Sequence, residues 1–176
     1  MQKNKCVFLD RDGVLNRERG DYTYRLEDFE VLPRVPEALA LLKENNYLLI
    51  VITNQAGVAK GLYQRADVLG CHQKLQESCN TLIDAIYYAP NHPAYSESLS
   101  RKPDSLMFEK AIAKYNIDPE ASWMVGDSLR DLQAAAKVGV ASVLVGEQHL
   151  AQTHPWQARD LWEAAQIILQ ETKKPA

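Results

Sequence analysis

Two aspartates one residue apart, Asp10 and Asp12, close the apolar run Cys6-Val7-Phe8-Leu9 and are followed by Gly13. Side chains two apart on extended backbone point the same way, so both carboxylates can address one site, and Gly13 lets the chain turn tightly beside it. Three more segments carry groups suited to the same chemistry: Thr53-Asn54-Gln55, Arg101-Lys102-Pro103 and Gly126-Asp127-Ser128-Leu129-Arg130-Asp131. Acids beside a lysine and a hydroxyl fit phosphate chemistry. A carboxylate approaching a phosphate dianion is repelled by about 4 kcal/mol per pair of unit charges at contact, and roughly twice that for two charges. Such a nucleophile therefore needs cations at hand. A Mg²⁺ ion held by Asp10 and Asp127, together with the Lys102 ammonium, would remove that barrier. On this reading Asp10 attacks phosphorus to give a phosphoaspartate, and Asp12 protonates the leaving alkoxide and later takes a proton from water. Thr53 supplies a hydroxyl and the backbone after it supplies amides for the phosphoryl oxygens. Asp131 either reaches the metal through water or orients Lys102.

The elements needed to position these groups are legible in the alternation of patterns. Strand-like runs at Lys5–Leu9, Tyr47–Ile52, Ile83–Tyr88, Ser122–Val125 and Ala141–Val145 alternate with helical ones at Pro36–Asn45, Ala66–Leu82, Ser105–Tyr115 and Leu129–Val138. A last helix is expected over Pro155–Thr172, with Thr153 or His154 as its cap and Trp156, Leu161, Trp162, Ala165, Ile168 and Leu169 on its buried stripe. Strict β/α alternation predicts an α/β fold, a parallel sheet covered by helices on both faces. The long connections Arg17–Pro33, Ala56–Arg65 and Ala89–Pro103 all follow strands, so they leave from the carboxyl edge, where ligands bind in such sheets.

Composition bounds the rest. A chain of 176 residues, 46% hydrophobic and 24% charged, suits one domain over 1–176 with a proper core. Its net charge of -3 offers no general attraction to nucleic acid or an anionic membrane, so any phosphate binding must be local. No apolar run reaches membrane-spanning length, and Cys6, Cys71 and Cys79 fall in no metal-ligand or redox spacing. A cytoplasmic monomer acting on a small phosphorylated metabolite is expected.

The ordered set of segments resembles the haloacid dehalogenase superfamily of phosphatases, and the likeness covers essentially the whole chain. Phe8-Leu9-Asp10-Arg11-Asp12-Gly13, the run from Val51 to Gly61 and Arg101-Lys102-Pro103 look like the D-glycero-D-manno-heptose 1,7-bisphosphate phosphatases, whose motifs the histidinol-phosphate phosphatases largely share. Gly57 to Gly61 favours the heptose branch. The resemblance implies a three-layer, doubly wound Rossmann-like sheet of order 5-4-1-2-3 without a large cap domain, and Mg²⁺ dependence with the Asp12 carbonyl as a further metal contact. It also implies substrate contacts from Arg101 and from Glu18, Arg19, Gly20 and Tyr22, with Asn54 and Gln55 beside them. One departure is plain. Where the family commonly holds zinc with a Cys-x-His and a Cys-x-Cys pair, this chain reads Ala89-Pro90-Asn91 and Ser98-Leu99-Ser100, so no zinc is expected. Ser128 also stands where the family often has a lysine.

Blander explanations compete at each position. Asp-x-Asp-Gly alone is commonly a turn, and a calcium loop would carry its glycine two positions later after a helix rather than a strand. Asp131 fits a helix cap, and Arg101-Lys102 by itself fits a solvated pair. Among His72, His92, His149 and His154 no metal spacing occurs. Arg17, Arg19, Arg25 and Lys60, in the bordering loops, are either solubilising charges or a receptor for a second phosphate, whereas Glu18 and Asp21 would instead welcome an ammonium group. A phosphoaspartate signalling receiver is the alternative from another class; it would need an acid where Tyr87, Tyr88 and Ala89 end the third strand.

Overall fold

The computed structural model describes residues 3–95, 97–146 and 154–172. Six parallel strands, β1 (Cys6–Leu9), β2 (Leu48–Asn54), β3 (Ala85–Ala89), β4 (Trp123–Gly126), β5 (Ala141–Val145) and β6 (Gln157–Ala158), lie in the order β3-β2-β1-β4-β5-β6. The expected order is present, extended by one short edge strand. Helices α1 (Val35–Glu44), α2 (Arg65–Ser78) and α5 (Leu161–Thr172) cover one face, and α3 (Leu106–Tyr115) and α4 (Leu129–Ala136) the other.

Strand β1 is wholly buried because both its faces are covered, which is why it reads as a continuous apolar run rather than an alternating one. Val7 and Leu9 face the α1/α2/α5 side, while Cys6 and Phe8 face α3, where Phe8 meets Phe108 at 4.9 Å between ring centroids. The three cysteines are free and buried, as small core residues. Sequence order reverses at β1, which lies between β2 and β4, so the switch point falls at the end of the strand that delivers Asp10.

The chain's last segment departs from expectation. Helix begins only at Leu161, and the preceding residues extend along β5, with Leu144 N–H bonded to the Trp156 carbonyl and Gly146 N–H to that of Ala158. Trp156 packs edge-on against Trp123 instead of sitting on a helical stripe, and the Asp160 carboxylate accepts from Glu163 N–H as the cap. His154 bonds the Ser142 carbonyl, and Thr153 lies outside the described residues, as does His149. No helix among the described residues is long and apolar enough to cross a membrane.

Candidate active site

Hydrogen bonding along β1 and β4 fixes the relation of two acids. Leu9 is in register with Val125, and Asp10 N–H donates to the Val125 carbonyl at 3.0 Å, which sets Asp10 beside the Gly126-Asp127 turn. Thr53 arrives from the other neighbour, β2, buried at the end of its strand. Three carboxylates, those of Asp10, Asp127 and Asp131, offer oxygens within 4.8 Å of one another.

Two glycines make that crowding sterically feasible. A Cβ on Gly13, whose φ is +82°, would run into the Asp127 carboxylate, and one on Gly126 would overlap the Asp131 side chain. Each glycine of the two motifs is thus a space left for an acid of the second.

Lys102 sits inside this cluster with its side chain 2% exposed. Its Nζ lies 2.8 Å from Asp10 Oδ1 and 2.6 Å from Asp131 Oδ1, and it donates to the Ile52 carbonyl at 2.7 Å. Burial by itself would lower the lysine's pKa; the Asp10 and Asp131 charges outweigh it and hold the ammonium above its ordinary range. Asp131 is both cap and orienter: Oδ2 accepts from Ser128 N–H and Oγ, closing a capping box on α4, while Oδ1 pairs with Lys102. Asn54 locks the lysine's main chain, its Nδ2 donating to the Lys102 carbonyl at 3.1 Å and its Oδ1 accepting from Lys102 N–H at 3.0 Å.

Burial raises Asp10 to about 8, and the Asp131 and Asp127 charges push the same way against Lys102. Asp127 is raised to about 6, again chiefly by burial and then by Asp131. The cluster is short of positive charge, and its donors are hard oxygens. That is the demand a small divalent cation meets. Because Asp10 Oδ1 accepts from Lys102 and from Arg11 N–H, Oδ2 is the oxygen with lone pairs left for a ligand.

Asp12 is held differently. Oδ1 accepts from Arg11 Nη2 and Asn16 Nδ2, and Oδ2 from Arg11 Nη2 and Gln55 Nε2. Arg11 is wholly buried and also donates to the Thr23 carbonyl at 2.9 Å, tying the first long loop to the motif. The sequence reading passed over Arg11 as the residue between two acids; on extended backbone it points opposite to them, and only its length lets the guanidinium return to Asp12.

These groups floor a cavity of about 560 Å³ to which all three long loops contribute, through Glu18, Gly20 and Tyr22, through Ala56, and through His92 and Arg101. Thr53, Asn54, Gln55 and Asp127 line it too, as does Arg130, which the sequence reading did not single out. Arg19 is not among the lining residues; it pairs with Asp28. Arg17 is bound to Glu30, Arg25 lies over the Tyr24 ring and Lys60 over that of Tyr22, so this group of cations does not line the cavity. The cations that do are Lys102, Arg101 and Arg130. Burial and the neighbouring Arg130 charge lower the Arg101 pKa, a sign that two like charges share this rim. Of the backbone amides after Thr53, that of Gln55 donates to the Ala89 carbonyl at 2.8 Å.

The loop lacking the zinc ligands is closed by its own hydrogen bonds. Ser98 and Ser100 hydroxyls meet at 2.7 Å, Arg101 N–H donates to the Ser98 carbonyl, and Arg101 Nη1 reaches the Asn91 carbonyl at 3.2 Å, joining the loop's two limbs.

A strand-end aspartate on a switch-point strand, flanked by hydroxyl, lysine and paired acids, defines a hydrolase class, and the haloacid dehalogenase-like hydrolase family model matches residues 4–139. The chain belongs to that family. It is 41% identical over 145 residues to the D-glycero-beta-D-manno-heptose-1,7-bisphosphate 7-phosphatase of Haemophilus ducreyi, covering 77% of this chain and 79% of that one. To the D-glycero-alpha-D-manno-heptose-1,7-bisphosphate 7-phosphatase of Burkholderia mallei it is 37% identical, over 81% of this chain and 80% of the other. In three dimensions it matches the D,D-heptose 1,7-bisphosphate phosphatase of B. bronchiseptica crystallised with magnesium and phosphate, at a TM-score of 0.86 and 34% identity, covering 95% and 99% of the two chains.

Proposed function

We propose that this phosphatase removes the 7-phosphate of D-glycero-D-manno-heptose 1,7-bisphosphate with Mg²⁺ as its metal. The observation that carries the chemistry is Asp10 at the head of three close carboxylates with Lys102 bonded to it. Asp10 and Asp127 would hold Mg²⁺ through side chains, with the Asp12 carbonyl, which among the described residues accepts no backbone hydrogen bond, as a third contact. The ion, when bound, neutralises phosphoryl charge beside Lys102. Asp10 Oδ2 attacks phosphorus as the ester bond breaks, and Asp12 gives its proton to the departing alkoxide. In the second half Asp12 takes a proton from water, whose oxygen attacks phosphorus and releases Asp10 and inorganic phosphate. Thr53 Oγ1 accepts from Gln55 Nε2, so its own proton is available to a phosphoryl oxygen.

Selectivity for a bisphosphate follows from the rim. Arg101 and Arg130 face the same space, a dicationic receptor for the phosphate that does not react. One observation favours a second reading: Glu18 and Asp21 also line the cavity, and an ammonium such as histidinol phosphate's would be welcome beside them. Phosphate release with Mg²⁺ decides between them. The bisphosphate should turn over far faster than histidinol phosphate, and equal or reversed rates would defeat the heptose assignment.

A further inference from the structure

The Tyr63 hydroxyl stands at the far end of a chain of hydrogen bonds that reaches Asp12. Its phenol donates to Gln55 Oε1 at 3.0 Å, and Gln55 Nε2 donates to Asp12 Oδ2 at 3.0 Å and to Thr53 Oγ1 at 3.1 Å. Donor and acceptor chemistry sets the polarity of this chain. Asp12 Oδ2 accepts from Arg11 Nη2 and from Gln55 Nε2, so the amide turns its NH₂ toward the acid, and Oε1 is left to accept from the Tyr63 phenol.

We propose that Tyr63 is a positioning residue for Asp12, acting through Gln55 by holding the amide right way round. The inference rests on Asp12 being the acid and base of the proposed phosphatase reaction. The phenol is well placed to be a fixed donor. Tyr63 is 5% exposed, its ring lies where a side chain on Gly57 would be, and Tyr24 stacks on it at 4.9 Å and 12°. Burial also pushes its pKa up to about 12, so the proton stays on oxygen across the working range. Without that hydroxyl the amide can turn over and present Oε1 to the Asp12 carboxylate, two acceptors face to face. Tyr22, which lines the cavity, meets the same ring edge-on at 5.8 Å, so the wall that substrate touches leans on the residue that orients the acid.

Tyr63→Phe keeps the ring and removes only the donor. The discriminating measurement is single-turnover cleavage, with Mg²⁺, of a hydrolysed sugar phosphate and of p-nitrophenyl phosphate. A sugar alkoxide needs the proton from Asp12 to leave, whereas p-nitrophenolate leaves without it. The expected result is a loss of about tenfold to a hundredfold in the sugar phosphate's single-turnover cleavage rate, a fraction of what general acid catalysis supplies, with steady-state KM little changed and p-nitrophenolate released at the wild-type single-turnover rate. Gln55→Leu should show the same substrate-selective loss, and the Tyr63→Phe/Gln55→Leu double variant should be no worse than Gln55→Leu alone, because Tyr63 acts only through the amide. Equal losses on both substrates, a change in KM alone, or multiplying losses in the double variant would overturn the inference. So would unimpaired sugar phosphate cleavage by either single variant. A wild-type protein that cleaves no alkyl phosphate would overturn the phosphatase reading itself, an outcome distinct from all of these.

Discussion

The Asp127 carboxylate occupies the space that a side chain on Gly13 would fill. Asp10 and Asp127 come from different strands, and the absence of one Cβ lets their carboxylates come close. Gly13→Ala should therefore displace Asp127 and also strain a backbone with φ of +82°. The Mg²⁺ concentration for half-maximal activity is expected to rise by about tenfold or more, the scale seen when support of a metal ligand is lost. An unchanged magnesium requirement would show that Asp127 is not a ligand.

Lys102 lies between two buried acids, so its removal leaves them facing each other. Lys102→Met is expected to destabilise the metal-free protein by about 3–5 kcal/mol, read from urea unfolding, and to abolish measurable turnover. Mg²⁺ should recover part of the stability and none of the activity, since the ion replaces charge but not the ammonium's fixed hydrogen bonds.

The raised acids predict an unusual pH response. Asp10 near 8 and Asp127 near 6, both above the ordinary 3.8, mean that the metal-free folded protein holds more protons than the unfolded chain in this window. Stability should then fall as pH rises from about 4 toward about 8, the reverse of a salt-bridged carboxylate. Mg²⁺ binding should displace those protons and tighten over the same range. Thermal melts across that range, with and without Mg²⁺, test this directly, and a metal-free melting temperature that climbs with pH would contradict it.

Arg130 is the rim cation most open to change without touching the chemistry at Asp10. Arg130→Gln should raise KM for the 1,7-bisphosphate by about tenfold, the worth of one charge-assisted phosphate contact, and leave a monophosphate's kinetics unaltered. Equal effects on both substrates would assign Arg130 a general electrostatic role.

Much of this protein follows from local pattern. Leu9, Thr53 and Gly126 end apolar runs that can only be buried strands, and chemistry at strand ends on a doubly wound sheet converges whatever the loops do. Asp10, Asp12, Thr53 and Asp127 were accordingly expected at one sheet edge, segment by segment, and Lys102 from its place after the third long loop; the structure brings Asp10, Lys102 and Asp127 together. Asp131 was ambiguous in sequence because a helix cap and a lysine partner use the same position; its two oxygens do both. Edge strand β6 was hidden because Trp156 fits a helical stripe as well as a contact with Trp123, and two residues of strand carry no periodicity.

What only the tertiary structure decided is which polar groups already have partners. Arg17 and Arg19 carry no sign in sequence of their pairing with Glu30 and Asp28, nor Asn54 of its bond to the Lys102 backbone, made while it lines the cavity. Arg130 gains its place on the cavity rim, Arg11 bonds Asp12 directly and Tyr63 bonds Gln55, which bonds Asp12, from buried positions that the sequence marks as unremarkable. Backbone periodicity is a property of neighbours in the chain, whereas the bond between Asn54 and Lys102 and the vacancy at Gly13 that Asp127 fills join residues that only the fold brings together.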